Sequence, residues 1–180
     1  SFAVKKIFLT FDDGPVPEVT PAVLAILKKE NVKATFFCVG ENAQKHPELI
    51  QQIKAENHVL GNHTFNHLNG WKTKDELYLN NVQKCAEIIP SQLFRPPYGK
   101  IKKSQSQQLE KKFSIIMWDV LSGDYNQKTT PEKCLKNTIK HVRSGSIVLF
   151  HDSVKAQKNM LFALPRFIAY CKQKNYFFAT

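Results

Sequence analysis

Two segments in the first half of the chain carry side chains that could bind a metal ion. Asp12 and Asp13 stand side by side in the segment 10–15 (TFDDGP), and His63 and His67 follow further along the chain. Residues four apart share one side of a helical turn, so this spacing predicts two neighbouring imidazoles on such a turn. Two imidazoles and one carboxylate leave coordination positions open on a divalent ion, as a catalytic metal centre requires.

The second carboxylate of the pair is available for other chemistry. Successive residues that leave an extended segment point in different directions, so Asp12 and Asp13 cannot easily both bind one ion. One of the two remains free for proton transfer, and the residues alone do not say which. A simpler interpretation is also open at this point, because Asp, Gly and Pro form turns and short motifs match by chance.

The composition describes one globular domain. The chain has 180 residues, of which 42% are hydrophobic and 11% aromatic, which is enough for a substantial core and excludes a disordered chain. We therefore interpret residues 1–180 as a single domain. No apolar run approaches the length that a bilayer requires, so we expect no transmembrane segment. Since the chain begins with Ser1 rather than Met, we expect a trimmed or processed product.

The charge is strongly positive. An excess of 26 Lys and Arg over 15 Asp and Glu gives a net charge of +11, which favours a polyanionic partner such as an acidic glycan, a cell envelope or nucleic acid. Nothing resembles a recognition helix, so we do not expect nucleic acid. Three lysines that follow Gly99, namely Lys100, Lys102 and Lys103, are expected at the mouth of the site. Nothing in the sequence indicates an oligomeric state.

The cysteines have no spacing typical of a metal or redox site. We expect all four to be reduced and partly buried small hydrophobic residues: Cys38, Cys85, Cys134 and Cys171.

Short β-rich runs alternate with segments of helical period along the whole chain. The predicted strands are 7–11, 35–39, 59–62, 93–95, 115–119, 146–150 and 176–179, and the predicted helices are 21–29, 47–56, 74–89, 101–112, 131–142 and 160–174. This order predicts a parallel sheet with right-handed crossovers that curls into a barrel with the helices outside.

The polar motifs follow the ends of the predicted strands. In a parallel barrel the loops after the strands meet at one rim, where catalytic sites lie. Candidate side chains stand at five such ends: Asp12 and Asp13, His63 and His67, Arg95, Asp124, and His151. We therefore expect residues that are far apart in sequence to converge on one site.

Three of these side chains have a further chemical interpretation. Arg95 precedes two prolines that stiffen the backbone, so it could grip a carboxylate with two N–H groups, while the backbone N–H of Tyr98 is left to point into the site. His151 directly follows a buried strand and could be an ordinary core histidine. A carboxylate beside it, such as Asp124, would favour the imidazolium and make it a proton donor.

These segments together resemble a known family. Five motifs occur in the order found in the polysaccharide deacetylases, the NodB-homology domains of carbohydrate esterase family 4. They lie around Asp12 and Asp13, around His63 and His67, and at Arg95 to Gly99, Trp118 to Tyr125, and Ile147 to His151. The resemblance covers essentially the whole chain. It implies a distorted (β/α)7 barrel with a groove at the carboxyl ends of the strands.

The resemblance also implies a division of labour among the residues. Asp13, His63 and His67 would bind one divalent metal ion, zinc in the first place and cobalt as an alternative. Asp12 would be the general base and Arg95 would hold it. The Tyr98 N–H would bind the oxyanion, and His151, tuned by Asp124, would be the general acid.

The implied reaction is removal of N-acetyl groups from a GlcNAc-containing glycan, with cell-envelope peptidoglycan as the leading substrate and chitooligosaccharides second. Such a substrate favours an extracytoplasmic location. Two alternatives remain open: a metal-dependent amidase that acts on a small non-glycan amide, and a glycan-binding module without activity.

The walls of the groove are less well defined by the motifs. Pro97, Trp118, Leu149 and Trp71 are candidates for contact with the substrate, and the two indoles could either stack on a sugar or pack in the core. Tyr125 stands where many members have Trp, and Leu121 where an acidic residue is common, so the depth and polarity of the groove differ from those of many relatives.

Overall fold

The computed structural model describes residues 4–180. Within this range, eight strands form one parallel sheet: β1 (Lys6–Asp12), β2 (Thr35–Cys38), β3 (Val59–Asn62), β4 (Leu93–Phe94), β5 (Ser114–Ile115), β6 (Val120–Leu121), β7 (Ile147–His151) and β8 (Phe177–Ala179). Their order is β5-β4-β3-β2-β1-β7-β6, and β8 pairs with the first half of β1.

Seven α-helices in the described part of the chain accompany the sheet: α1 (Thr20–Glu30), α2 (Gly40–Lys45), α3 (Pro47–Ala55), α4 (Asp75–Ala86), α5 (Lys103–Leu109), α6 (Pro131–His141) and α7 (Gln157–Gln173). Two short 3-10 turns lie at Gly70–Lys72 and Pro97–Gly99. The predicted barrel of parallel strands with helices outside is confirmed. Helix α2 was not predicted from the sequence, because its six residues are too short to show a periodic pattern.

The predicted fifth strand, 115–119, is wrong in its extent. Ser114–Ile115 pairs with β4 at one end of the sheet, and Val120–Leu121 pairs with β7 at the other end. The residues between them cross the gap in the barrel, and the carbonyls of Ile116 and Met117 accept hydrogen bonds from a side chain inside it. The break in this strand is what makes the barrel irregular.

Strand β1 shows how the sequence places the chemistry. Ile7, Leu9 and Phe11 are buried in the main core with residues of helices α1 and α7, whereas Thr10 and Asp12 alternate with them and face the other side of the sheet. The period of two therefore carries Asp12 to the inside of the barrel at the carboxyl end of the strand.

All four cysteines are free and buried, as expected from their spacing. Within residues 4–180, none of the helices combines the length and the apolar character needed to cross a bilayer.

Candidate active site

The two aspartates at the end of β1 diverge. Asp12 Oδ1 lies 2.9 Å from Nη1 of Arg95, inside the barrel. Asp13 has a φ of 88°, so the chain turns sharply after the strand, and Asp13 Oδ1 lies 3.0 Å from Nε2 of His67. The expectation that neighbouring carboxylates would serve different partners therefore agrees with the geometry.

The turn after Asp13 is anchored from below by a buried carboxylate. Asp152 Oδ1 accepts a hydrogen bond from the Gly14 N–H at 3.2 Å, and its Oδ2 accepts one from the Thr20 hydroxyl at 2.8 Å. The approach is so close that a Cβ on Gly14 would overlap the Asp152 carboxylate. Glycine is therefore required here by space.

The prediction that His63 and His67 share a helical turn is wrong. The segment after β3 is an irregular loop in which Thr64 and His67 have positive φ values of 62° and 57°. Asn81 of α4 holds this loop, because its Oδ1 accepts hydrogen bonds at 2.9 Å from the N–H groups of both Phe65 and Asn66. Side-chain capping replaces the missing helical hydrogen bonds.

The two imidazoles nevertheless meet the carboxylate of Asp13. Ligand atoms of Asp13, His63 and His67 all lie within 4.8 Å of one another. Asp13 Oδ1 is buried, with Nε2 of His67 at 3.0 Å and Nε2 of His63 at 3.4 Å, but neither contact has hydrogen-bond geometry, so this oxygen accepts no hydrogen bond from the described residues. A buried acceptor without a donor is unfavourable, so the arrangement fits a cation among the three side chains.

The tautomer of His63 supports the same conclusion. His63 Nδ1 lies 2.7 Å from the Arg95 carbonyl oxygen, which can only accept, so Nδ1 carries the proton. In the neutral imidazole, Nε2 then presents its lone pair towards Asp13, which is the orientation of a metal ligand.

The site favours positive charge for electrostatic reasons as well. Burial lowers the pKa of His63, but the negative charges of Asp12 and Asp13 outweigh it and raise the pKa. Burial raises the pKa of Asp13, but His63 and His67 outweigh it and hold the pKa well below its ordinary range. The donor set of one carboxylate and two imidazoles suits a divalent ion such as zinc.

Arg95 is completely buried and fully engaged. Its guanidinium donates to Asp12 Oδ1 and Thr10 Oγ1 through Nη1 at 2.9 and 2.7 Å, and to two backbone carbonyls through Nε and Nη2. The prediction that Arg95 binds a carboxylate through two N–H groups is therefore wrong, since only Nη1 donates to Asp12. The remaining donors fix the guanidinium, so Arg95 holds Asp12 in one position.

Tyr98 lies in the short turn after β4. Its φ of 63° is the left-handed region, and its backbone N–H donates to no acceptor within residues 4–180. Its ring is exposed and meets the ring of His67 edge-on at a centroid distance of 4.8 Å. Within the described residues, the turn thus leaves one N–H without an acceptor beside His67, one of the candidate metal ligands.

His151 ends β7 and is held by Asp124. Asp124 Oδ2 accepts a hydrogen bond from the His151 backbone N–H at 2.7 Å, and Oδ1 lies 2.7 Å from Nδ1 of the imidazole. Burial lowers the pKa of His151, but the hydrogen bond and charge of Asp124, with Asp13 and Asp12 behind it, raise the pKa to about 9. His151 is therefore an imidazolium near neutral pH.

These groups surround one cavity of about 490 Å³. Its lining includes Asp12, Asp13, His67, Tyr98, Trp118, Leu149 and His151, together with Leu121 and Tyr125. The substrate candidates Pro97 and Trp71 are not among the lining residues: Pro97 is buried, and Trp71 is exposed with its Nε1 donating to the Ile101 carbonyl.

The expected lysine rim is only partly present. Lys100 lines the cavity, but Lys102 donates to the Thr73 carbonyl and lies 3.8 Å from Asp75 Oδ1. Lys155, which the sequence did not single out, lines the cavity as well.

Several supporting residues were missed because their contacts are tertiary. Thr10 lies between Arg95 and the carbonyl of Val148, Asn81 holds the histidine loop, and Asp152 anchors the turn after Asp13. In the sequence each is an ordinary polar residue. For Thr10 alone a signal existed, because it shares the strand face of Asp12.

Comparisons with known proteins agree with this geometry. A peptidoglycan-N-acetylglucosamine deacetylase of Bacillus cereus is 37% identical over 183 residues, which cover 97% of this chain and 66% of that protein. A chitooligosaccharide deacetylase of Azorhizobium caulinodans is 36% identical over 156 residues, 82% of this chain and 73% of that protein. The chain thus spans about two thirds of the length of the Bacillus cereus relative.

A solved structure extends the similarity to three dimensions. The crystal structure of the Bc1960 peptidoglycan N-acetylglucosamine deacetylase superposes with a TM-score of 0.94 at 35% identity, over 100% of this chain and 87% of that one. Residues 1–114 match the profile of the family described as Polysaccharide deacetylase. Together with the site, these similarities show that the chain belongs to the polysaccharide deacetylases, the NodB-homology family.

Proposed function

We propose that the protein is a metal-dependent hydrolase that removes N-acetyl groups from the GlcNAc residues of a glycan. The observation that carries this proposal is the convergence of three groups on one cavity: the Asp13, His63 and His67 cluster, the arginine-held carboxylate of Asp12, and the Asp124-held imidazole of His151. A ligand cluster, a base and an acid around one space are what amide hydrolysis requires.

Asp13, His63 and His67 would hold the metal ion. When bound, a divalent ion such as zinc supplies Lewis acidity, which polarises the acetyl carbonyl and lowers the pKa of a bound water. The identity of the ion, with zinc first and cobalt second, is part of the proposal.

Asp12 is the general base of the proposed reaction. Its Oδ1 is occupied by Arg95, so Oδ2, which lies 3.7 Å from Nε2 of His63, is the atom left to accept a proton from the attacking water. The water oxygen then adds to the acetyl carbon. The hydrogen bond from Arg95 holds the carboxylate in place before the reaction.

Tyr98 and His151 complete the proposed reaction. The unpaired N–H of Tyr98 donates to the carbonyl oxygen as it becomes negative. His151, whose Nδ1 is held by Asp124, donates its proton from Nε2 to the amide nitrogen, so that the C–N bond breaks to give an amine and acetate.

The substrate is proposed from two sources. The Bacillus cereus and Bc1960 relatives are peptidoglycan-N-acetylglucosamine deacetylases, which puts peptidoglycan first, and the Azorhizobium relative puts chitooligosaccharides second. A peptidoglycan substrate would place the protein outside the cytoplasm. A small non-glycan amide is disfavoured by the large open cavity, and a pure binding module has no need of a paired acid and base.

The deciding experiment is acetate release by the purified protein from peptidoglycan, chitooligosaccharides, acetylxylan and small acetamides. We expect activity on the first two, loss of activity on treatment with a chelator, and recovery when zinc or cobalt is added. Full activity in a verified metal-free sample would rule out the mechanism. Release from small acetamides alone would rule out the glycan substrate.

A further inference from the structure

A second groove adjoins the candidate active site on the side of His151. Its volume is about 240 Å³, and it is lined by Gln127, Lys128, Thr129, Thr130, Pro131, Lys155, Lys158 and Asn159. Lys155 lines both this groove and the catalytic cavity, so the two spaces share a wall. We call the second space the basic groove.

The backbone of the basic groove is held by a set of cross-links between two loops and α7. The side-chain amide of Asn159 donates to the carbonyls of Asp124 and Thr129 at 3.2 and 3.0 Å. Gln127 Nε2 donates to the Lys155 carbonyl at 3.2 Å, which ties the loop after β6 to the loop after β7. Its shape therefore depends on the same loops that place Asp124 and His151.

The charge of the basic groove is uncompensated. Lys128, Lys155 and Lys158 contribute three ammonium groups, and the residues that line the groove include no Asp or Glu. Within residues 4–180 none of the three lysines forms an ion pair, in contrast to Lys102, which lies near Asp75. Lys100 adds a fourth charge in the adjoining cavity.

The position of the basic groove indicates what reaches it. If His151 protonates the leaving amine, the sugar that carries this amine lies on the His151 side of the cavity. Tyr125 and Lys155 also line the cavity, and the ring of Tyr125 contacts His151 at a centroid distance of 5.2 Å. Substituents of the sugar next in the glycan can then extend past Lys155 towards Lys128 and Lys158.

We propose that the basic groove binds carboxylates carried by the glycan substrate on a unit next to the GlcNAc that is deacetylated. Peptidoglycan meets this requirement because its peptide stems, and its lactyl ethers where no stem is attached, carry carboxyl groups, whereas chitooligosaccharides are neutral. The proposal rests on the proposed function and refines it. It assigns substrate choice to Lys128 and Lys158, which lie outside the catalytic cavity.

The test compares two forms of one peptidoglycan fragment, with free carboxylates and with amidated carboxyl groups, and a neutral chitooligosaccharide. Lys128→Gln/Lys158→Gln should raise KM and weaken calorimetric binding of the carboxylated fragment roughly 5-fold at low salt, as expected for two solvent-exposed charge contacts. Values of kcat, and all values for the amidated fragment and the chitooligosaccharide, should stay unchanged. Salt at about 0.5 M should remove most of the difference, since it screens exposed charges.

Two control variants separate specific contact from net charge and from altered folding. Lys28→Gln/Lys29→Gln removes the same charge from the last turn of α1, at the opposite end of the barrel, and should bind both fragments as the wild type does. Lys128→Arg/Lys158→Arg should restore the preference for the carboxylated fragment.

The outcomes distinguish this proposal from the proposed function. Equal losses on carboxylated and amidated fragments, or an equal effect of the Lys28/Lys29 control, would overturn the basic groove as a carboxylate site. Absence of acetate release from every substrate by the metal-loaded wild type would overturn the proposed function. In that case calorimetry would still show whether the basic groove binds carboxylates, because the wild type should bind the carboxylated fragment more tightly than the amidated one, and Lys128→Gln/Lys158→Gln should lose this preference.

Discussion

Asp12 and His151 are direct partners across the adjacent parallel strands β1 and β7. The proposed base and the proposed acid therefore stand side by side at the ends of neighbouring strands, each fixed from behind by an oppositely charged group. Arg95 holds Asp12, and Asp124 holds His151. Since strand pairing sets this spacing, the two groups reach the cavity without support from a flexible loop.

The pH dependence of the reaction should report the contact between Asp124 and His151. Asp124 raises the pKa of His151 to about 9 against the opposing effect of burial. Asp124→Asn removes the charge, so the imidazolium should lose its proton at lower pH, and the alkaline limb of kcat should move down by more than about one pH unit.

Asp119→Asn is the matched control for the pH profile. Asp119 Oδ1 accepts a hydrogen bond from the Ile147 N–H at the start of β7 and lies away from the imidazole. Its substitution should leave the alkaline limb in place. An alkaline limb that does not move in Asp124→Asn would mean that another carboxylate, Asp119 or Asp152, sets the pKa of His151, or that another group is the acid.

Replacement of the two neighbouring aspartates should separate metal binding from proton transfer. Asp12→Asn leaves the three candidate ligands intact, so it should retain bound metal but lose roughly two or more orders of magnitude in kcat. Asp13→Asn should lose metal affinity. Metal content by mass spectrometry after dialysis, together with acetate release, checks both, and the reverse pattern would exchange the two assignments.

Arg95 should matter for stability as well as for activity. Arg95→Met leaves the Asp12 carboxylate buried without its cation and two carbonyls without donors, which should cost about 3–5 kcal/mol in the free energy of unfolding. Arg95→Lys keeps a positive charge but cannot reproduce the several N–H donors of the guanidinium, so its free energy of unfolding should lie between those of the wild type and Arg95→Met. Urea unfolding measures both, and a wild-type midpoint for Arg95→Met would contradict the argument.

The contact between Gly14 and Asp152 predicts a non-additive pair of substitutions. Gly14→Ala places a Cβ against the Asp152 carboxylate, which should displace the turn that carries Asp13 and cost about 1–3 kcal/mol. In an Asp152→Ala background the same substitution has room and should cost much less. Thermal unfolding of the four proteins in the cycle gives the coupling, and additive effects would show that the contact is not what requires glycine.

His58 should make stability depend on pH. It is buried against Phe36, and burial with the nearby Lys33 charge lowers the pKa of His58 to about 4. In the unfolded chain His58 binds a proton near its ordinary pKa of 6.5. The neutral, buried His58 therefore contributes to the free energy of unfolding above that pH, and this contribution is lost as the pH falls towards about 4. From pH 7 to about 4.5 the loss should be about 2 kcal/mol.

His58→Asn isolates the contribution of the His58 titration to stability. The side-chain oxygen of the new asparagine can still accept a hydrogen bond from the Ala34 N–H, as His58 Nδ1 does. The variant should lose less stability on acidification than the wild type, measured by urea unfolding at several pH values. Parallel losses in the two proteins would assign the pH dependence to other groups.

The sequence by itself determined the order of the elements and the identity of the chemical groups. The alternation of β-rich and helical segments predicts a parallel barrel, and the position of each polar motif after a strand places these motifs at one rim. The period of two along β1 places Thr10 and Asp12 on one face. These features are local, so they can be recognised without knowledge of contacts between distant residues.

Only the tertiary structure decided the shape of the loops and the partner of each polar group. The histidine spacing suggested a helical turn, but Asn81, from a different helix, stabilises a loop with positive φ values at Thr64 and His67. The predicted fifth strand is broken after Ile115 because Ser114–Ile115 pairs with β4, whereas Val120–Leu121 pairs with β7 at the other end of the sheet. Hydrogen bonds between residues far apart in the chain outweigh local preference at these places, and a sequence pattern of short range does not contain them.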